Sequence, residues 1–463
     1  TGVFLAAGQD PTRKDVLDML LRLFDREGLS LVPAVEFASP LPELEAVLRR
    51  GGAEAVGIAW IGPDGSTWQE VHPAPRGRSP YYNVLHPRVQ EAMLAVIREL
   101  ATTYGQHPSF AGLGLQLSSH GYGQLLGPAW GVDDATIDRF QRDTKLRVPG
   151  EGPERFAERA SCLTGERRKE WLQWRALQLS RFYGRVRAEL AAVRKDAPLY
   201  LAATDLLTGS GNSDLGRELQ PTLPQKATIS ETLLRLGIDA RHYGPEDGIV
   251  LTRPERISAA SSLAHRAVDL EIQQMPDADR YFQGLTVPGS LFYHPPIETR
   301  IPSFDDKSPF KPCYTWLASQ PLPSAWQNRR RFVHSLATLD AQVMFDGGWL
   351  LAMGQEESVR DLAAAYRQLP PVRLERVADP AAPGAGQPVT IRSGTWRERT
   401  YAYVANDAPF AVTARIRVDG PAGCRMEALP GSKPMEPLRR DADGAYWEVE
   451  LGPYDLVAAS FSV

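Results

Sequence analysis

The chain is poor in cysteine. Cys162, Cys313 and Cys424 are scattered through 463 residues, with no CxxC pair. So few thiols, odd in number and far apart, argue against a disulfide framework or a thiolate zinc site and leave each as a small buried side chain. Long apolar runs are missing too: no 18 consecutive apolar residues occur, so no segment is expected to span a bilayer. An excess of one charge is absent. Lys plus Arg number 52 against 56 Asp plus Glu, a net charge of −4, which gives no electrostatic reason to expect nucleic acid or an anionic membrane as partner. Neither GxGxxG nor GxxxxGK(S/T) follows a strand-like run. The 8 histidines show no HxH or HExxH spacing, so no metal and no other cofactor is expected.

What is present is a large apolar content, 43%, spread over a length that suits two or three domains. Strand-like and helix-like runs alternate over roughly the first 370 residues, which predicts a parallel α/β architecture. The strand candidates are residues 3–7, 29–37, 111–117, 199–205, 248–254, 290–294 and 342–346. Helices are expected over 14–27, 42–50, 87–104, 134–144, 153–163, 166–194, 329–341 and 357–367, with another closing at 233–236. About seven strands separated by helices fit a (β/α)8 TIM-like barrel whose first strand precedes Thr1. The chain opens without Met directly on an apolar run, so an upstream segment of the same protein is expected, and the compartment is left open. A doubly wound open sheet is the rival, and the missing nucleotide loops count against it.

Pro370-Pro371 changes the pattern, and residues 378–387 form a Pro/Ala/Gly connector. Beyond it, period-two runs at 389–392, 400–406, 411–418, 446–451 and 456–461 predict an antiparallel β-sandwich. The expected division is therefore a barrel over 1–372 and a sandwich over 373–463.

A barrel carries its chemistry where its strands end. Residues closing or following the predicted strands include Glu36, His120, Asp205, Arg253, Tyr293 and Asp346, with Glu298 in the next loop. Aromatic residues crowd the same loops: Trp60, Trp68, Tyr122, Trp130 and Trp349. Carboxylates beside aromatic faces suit a carbohydrate, because glycosidic cleavage uses two carboxyl groups. Asp205, Glu298 and Glu36 are the catalytic candidates. His120, Tyr122, Trp130, Arg253, Tyr293, Asp346 and Trp349 are the substrate-binding candidates. Each has a structural alternative. Glu36 suits a salt bridge, Asp205 a loop cap and Glu298 a pair with Arg300. His120 suits a satisfied loop histidine, and Asp346 before Gly347 suits a turn. Asp239 precedes its strand, which puts it at the wrong end of a barrel and makes it structural.

Asn83-Val84-Leu85-His86-Pro87, followed by Tyr104-Gly105-Gln106-His107-Pro108-Ser109-Phe110-Ala111-Gly112, resembles the segment before strand four in clan A glycoside hydrolases, especially the family 42 β-galactosidase-like group. Residues 137–171 are loosely similar to that group's helical insertion, and 451–457 look like the close of the small β-domain behind many glycosidase barrels. The resemblance implies a barrel acting on a carbohydrate. It also implies an acid/base Glu near Ser118-Ser119, where this chain has serines, and a nucleophile at Glu298. Three readings follow: hydrolysis of a glycosidic bond through other carboxylates; a barrel that binds glycans without cleaving them, or is one part of a larger glycan-processing protein; and a barrel enzyme acting on a non-glycan substrate, against which the missing phosphate loops and metal motifs count.

Overall fold

The computed structural model describes residues 15–71, 82–118, 121–205, 228–244, 246–256, 277–294, 325–348, 356–377, 389–418, 424–429, 435–442 and 444–462. Residues 204–205, 255–256, 293–294, 327 and 347–348 are described by backbone alone. The strand candidate at 3–7, the connector at 378–387, Cys313, His120, Glu298 and Trp349 lie outside the described residues. The chain divides into two compact units, Thr1–Pro254 with Ala264–Val287, and Glu255–Leu263 with Pro288–Val463.

In the first unit, β1 (Ala34–Glu36), β2 (Leu113–Ser118), β3 (Leu199–Asp205) and β4 (Ile249–Arg256) pair in parallel. Spatial order follows chain order without the reversal that a doubly wound sheet shows at its switch point. That is the progression of a barrel wall. β1 is shorter than the apolar run at 29–37 predicts. Pro33 has no N–H to give, and Leu31 reaches its neighbour only through an isolated parallel bridge to Phe110.

Helices fill the intervals: α1 (Val16–Glu27), α2 (Pro42–Arg50), α3 (Trp68–Val71), α4 (Pro87–Tyr104), α5 (Asp134–Thr144), α6 (Arg155–Thr164), α7 (Arg168–Val193), α8 (Ile229–Arg235) and α9 (Ala278–Gln283). α4 shows why the sequence makes a helix there. His86 caps it by accepting from the Arg88 N–H, Pro87 supplies a pre-set first turn, and Val89, Met93, Ile97 and Ala101 form a buried stripe. The stripe packs on α7, where Arg98 also meets Glu189. α5 is held to α7 by aromatics. Phe140 sits edge-on to Trp171 and Trp174, whose rings stack at 5.4 Å. No helix among the described residues is long and apolar enough to cross a membrane.

In the second unit, β5 (Gly289–His294) pairs in parallel with β6 (Val343–Gly348). Helices α10 (Arg330–Leu339) and α11 (Glu357–Tyr366) flank β6 in the chain. Eight antiparallel strands follow: β7 (Glu375–Arg376), β8 (Thr390–Trp396), β9 (Arg399–Asn406), β10 (Val412–Val418), β11 (Arg425–Ala428), β12 (Arg439–Asp441), β13 (Gly444–Leu451) and β14 (Asp455–Ser462). They form a five-stranded sheet, β11-β14-β9-β8-β7, and a three-stranded sheet, β10-β13-β12. The larger sheet is covered on both faces. Tyr403, Ala405, Leu456 and Ala458 pack with Val333, Leu336, Leu362 and Ala365 of the helices. Val404, Val457 and Ala459, one residue out of phase, pack with Ile416, Trp447 and Val449 of the smaller sheet.

Candidate functional site at the strand ends

Three neighbouring strands of the first unit close on polar residues. Glu36 ends β1 beside Gln116, and after an irregularity in β2 Ser118 stands opposite Asp205, the last residue of β3. Glu36 is exposed. Ser118 is buried, 1% exposed, and its hydroxyl donates to Glu36 Oε1 at 2.6 Å. That length is typical of a hydroxyl on a carboxylate.

The turn after β2 is fixed from within. Gly121 N–H donates to the Ser118 carbonyl at 3.1 Å. The buried Gln124 amide donates to the same carbonyl and to the Gly121 carbonyl. Gln124 escaped the sequence reading, because nothing but its place behind a glycine marks it. Ser118 is one of the polar residues, 116 to 120, that close its strand in the sequence, at the place where the resembled family has a glutamate. The structure assigns it a direct contact with a candidate carboxylate.

Several expected site residues are used elsewhere. Tyr122 and Trp130 are core residues rather than open sugar platforms, at 1% and 6% exposure. Tyr122 donates from its hydroxyl to the Ser39 carbonyl at 2.6 Å, and its ring packs against Phe37 and Tyr82. Tyr82 is itself pinned between the Leu41 N–H and Glu45, and burial with that carboxylate raises its phenol far above its ordinary range. Trp130 lies edge-on to Trp68 at 4.9 Å. Trp60, another loop aromatic, is fully buried. Loop aromatics here close the core beneath the strand ends.

Arg253 is 6% exposed and paired with Asp279 at 2.8 Å, so its charge is directed to the start of α9. In the second unit, Asp346 pairs with Arg331 of α10 at 2.7 Å, which ties a strand to a helix. Tyr293 lies in β5 and Asp205 ends β3, each by its backbone. Asp239 is structural, as expected: it caps a short helical turn through the Arg241 N–H and pairs with the Arg241 guanidinium at 2.6 Å. Among the described residues no group of three or more His, Cys, Asp or Glu is arranged to hold a metal ion.

The arrangement therefore presents an exposed carboxylate, oriented by a buried hydroxyl, at the strand end next to the strand that Asp205 faces. No family model and no curated protein matches the chain. Its structural neighbours are glycoside hydrolases. The α-amylase of Geobacillus thermoleovorans matches over 96% of this chain and 80% of its own, at 10% identity and a TM-score of 0.45. A GH27 β-L-arabinopyranosidase from Geobacillus stearothermophilus matches over 96% and 76%, at 10% identity and 0.43. The PgaB glycoside hydrolase domain of Bordetella bronchiseptica matches over 76% and 80%, at 14% identity and 0.42. These scores describe a partial likeness, and the functional reading rests on the strand-end residues.

Proposed function

We propose that this protein cleaves a glycosidic bond, with Glu36 and Asp205 as carboxylates at the ends of the parallel strands. The observation that carries the reading is the Ser118–Glu36 hydrogen bond, one strand from Asp205. A pair of carboxyl groups is what glycoside hydrolysis requires, one to donate a proton and one to act as nucleophile or base. Among the described residues Glu36 is anchored by a single hydroxyl at one oxygen, and it is exposed, so it is open to substrate. Glu298, which the sequence pairs with Asp205 ahead of Glu36, lies outside the described residues and enters the same test.

The experiment is turnover of an oligosaccharide panel, read as new reducing ends. Glu36→Gln and Asp205→Asn are each expected to lower the rate about 10²–10⁴-fold, with Tm unchanged. Glu298→Gln asks whether the sequence expectation holds. Wild-type rates in both Glu36→Gln and Asp205→Asn would end the assignment. A second reading is a barrel that binds glycans without cleaving them. It is favoured by Ser118 occupying the region where the resembled family carries its acid/base glutamate. Saturable binding of an oligosaccharide that yields no product from any panel member would select it.

A further inference from the structure

A groove of about 720 Å³ in the first unit runs between the start of α4 and the outer face of α5. Arg139, Arg142, Lys145 and Arg147 line it, with His86 and a single carboxylate, Asp138. The local chain is shaped to bring these cations together. Lys145 takes a left-handed conformation, φ 62°, and reverses the chain at the end of α5. Leu146 N–H then donates to Thr144 Oγ1 at 3.3 Å, and Val148 N–H donates to Gln141 Oε1 at 2.9 Å. Arg147 is thereby folded back toward the helix that carries Arg139 and Arg142.

None of the four cations has an ion-pair partner among the described residues, although the protein as a whole carries a net charge of −4. Arg142 and Lys145 complement the C-terminal dipole of α5, which is an ordinary structural use. Arg139, a turn earlier, donates to the Leu85 carbonyl, and Arg147 beyond the helix has no such use among the described residues. Asp143 accepts from the Trp174 indole and from Gln178, and of the four cations its field reaches Arg139. His86 takes Arg88 N–H on Nδ1, which leaves the proton on Nε2. Burial first, then Arg139 and Arg88, hold His86 down to about 4, so it is a neutral donor at pH 7.

The groove sits on the side of the unit where the parallel strands end. α4 runs for 18 residues, roughly 27 Å, from the groove back to the turn that feeds the start of β2. A continuous packed path joins the two places: Thr136 of α5 accepts from Asn83, Tyr82 packs on Tyr122, and Tyr122 N–H donates to the Phe37 carbonyl beside Glu36.

We propose that this groove binds an acidic saccharide, a sugar chain bearing carboxylate or sulfate groups. The saccharide part rests on the function proposed above; the preference for negative charge rests on the groove alone. Converging cations without counter-ions favour an anion that brings several charges at sugar spacing, with hydroxyls left for His86 Nε2–H and Gln141. The groove has no exposed aromatic lining on which bases would stack.

The test is calorimetric binding of the whole chain to oligogalacturonate, chondroitin sulfate oligomers, neutral galacto-oligosaccharides and a single-stranded DNA oligomer. Wild type is expected to bind an acidic saccharide more tightly than the neutral one. The exposed pair Arg142→Gln/Lys145→Gln is expected to weaken acidic binding about tenfold and to leave neutral binding unchanged, with only the small loss of Tm that follows from two charges removed at a helix C-terminus. Equal affinity for acidic and neutral saccharides, an unaltered acidic affinity in the double variant, or DNA binding as tight as the acidic saccharide would each overturn the proposal. Failure of the two proposals reads differently. Loss of charge preference with Glu36-dependent cleavage intact removes the groove only. Charge-dependent saccharide binding with wild-type turnover in Glu36→Gln and Asp205→Asn removes the catalytic assignment only.

Discussion

The two ends of β2 differ in what their polar groups do. At its start, each polar side chain of the Tyr104–Ser109 tag that the structure pairs is spent on another part of the unit. His107 Nδ1 lies 2.7 Å from Asp25 and Nε2 3.3 Å from Asp18. Ser109 donates from its N–H to Asp25 and from its hydroxyl to the Leu21 carbonyl. Tyr104 donates to Asp15, and Arg194 donates to the His107 carbonyl. At its finish, Ser118 holds a carboxylate that stays exposed. One end fastens α1 and α7 to the sheet, and the other leaves the Glu36 carboxylate exposed. This is the division of labour a barrel wall is built for. It also gives the segment that carried the family resemblance a structural meaning: the tag is a fastening.

The largest effect that would break this comparison is an exchange of roles. Substitutions at the finishing end, Glu36→Gln and Asp205→Asn, are expected to remove turnover by about 10²–10⁴-fold and leave Tm alone. Substitutions at the starting end should do the reverse. Gly112 is the sharpest of these. It holds φ +137°, and a Cβ there would lie 2.7 Å from the Pro198 carbonyl and 2.9 Å from the Tyr200 ring. Gly112→Ala combines a disfavoured backbone with a clash and should cost about 2–5 kcal/mol. Urea unfolding measures it. A loss of activity at full stability would show that the starting end also serves the chemistry.

Ser109→Ala probes the same end more gently. The side chain is buried and its hydroxyl satisfies the Leu21 carbonyl at 3.0 Å. Its loss should cost about 1 kcal/mol and lower Tm by about 2–4 °C, with the rate per folded molecule unchanged. A rate change larger than the Tm change would blur the contrast between the ends.

Much of the helical layer was legible because its stop and start signals are local. Pro42–Arg50, Pro87–Tyr104 and Asp134–Thr144 match the expected spans. Each carries its own boundary chemistry: proline in the first turn of the first two, and an Asp133 cap with a left-handed Lys145 for the third. The strands β7, β11 and β12 were not legible. They are two to four residues long, largely exposed, and rich in charge, as short edge strands are. At the site, Glu36 and Asp205 could be read as polar residues closing apolar runs. Whether an aromatic residue in a loop faces water or the core depends on tertiary packing, and sequence spacing does not encode it. Tyr122 and Trp130 are the consequence. Gln124 acts through two carbonyls of a turn that exists only once β2 is placed.

The narrowest prediction concerns acid. Hydrogen bonds from Ser109 and His107 hold Asp25 at about 2, against an ordinary 3.8. A carboxyl group whose folded pKa is depressed stabilises the fold above its unfolded pKa, and that contribution disappears as pH falls through the folded value. Asp25→Asn keeps the shape and removes the charge. The Tm gap between wild type and Asp25→Asn should therefore be full at pH 6, shrink below about pH 4 and close toward pH 2. The contrast with the other end makes the measurement informative. Glu36 is exposed and takes one hydroxyl partner among the described residues, whereas Asp25 is held by both His107 and Ser109 of the tag. A gap for Asp25→Asn that stays constant from pH 6 to pH 2 would mean that its ionised form does not fasten α1. The two ends of the strand would then differ in exposure alone.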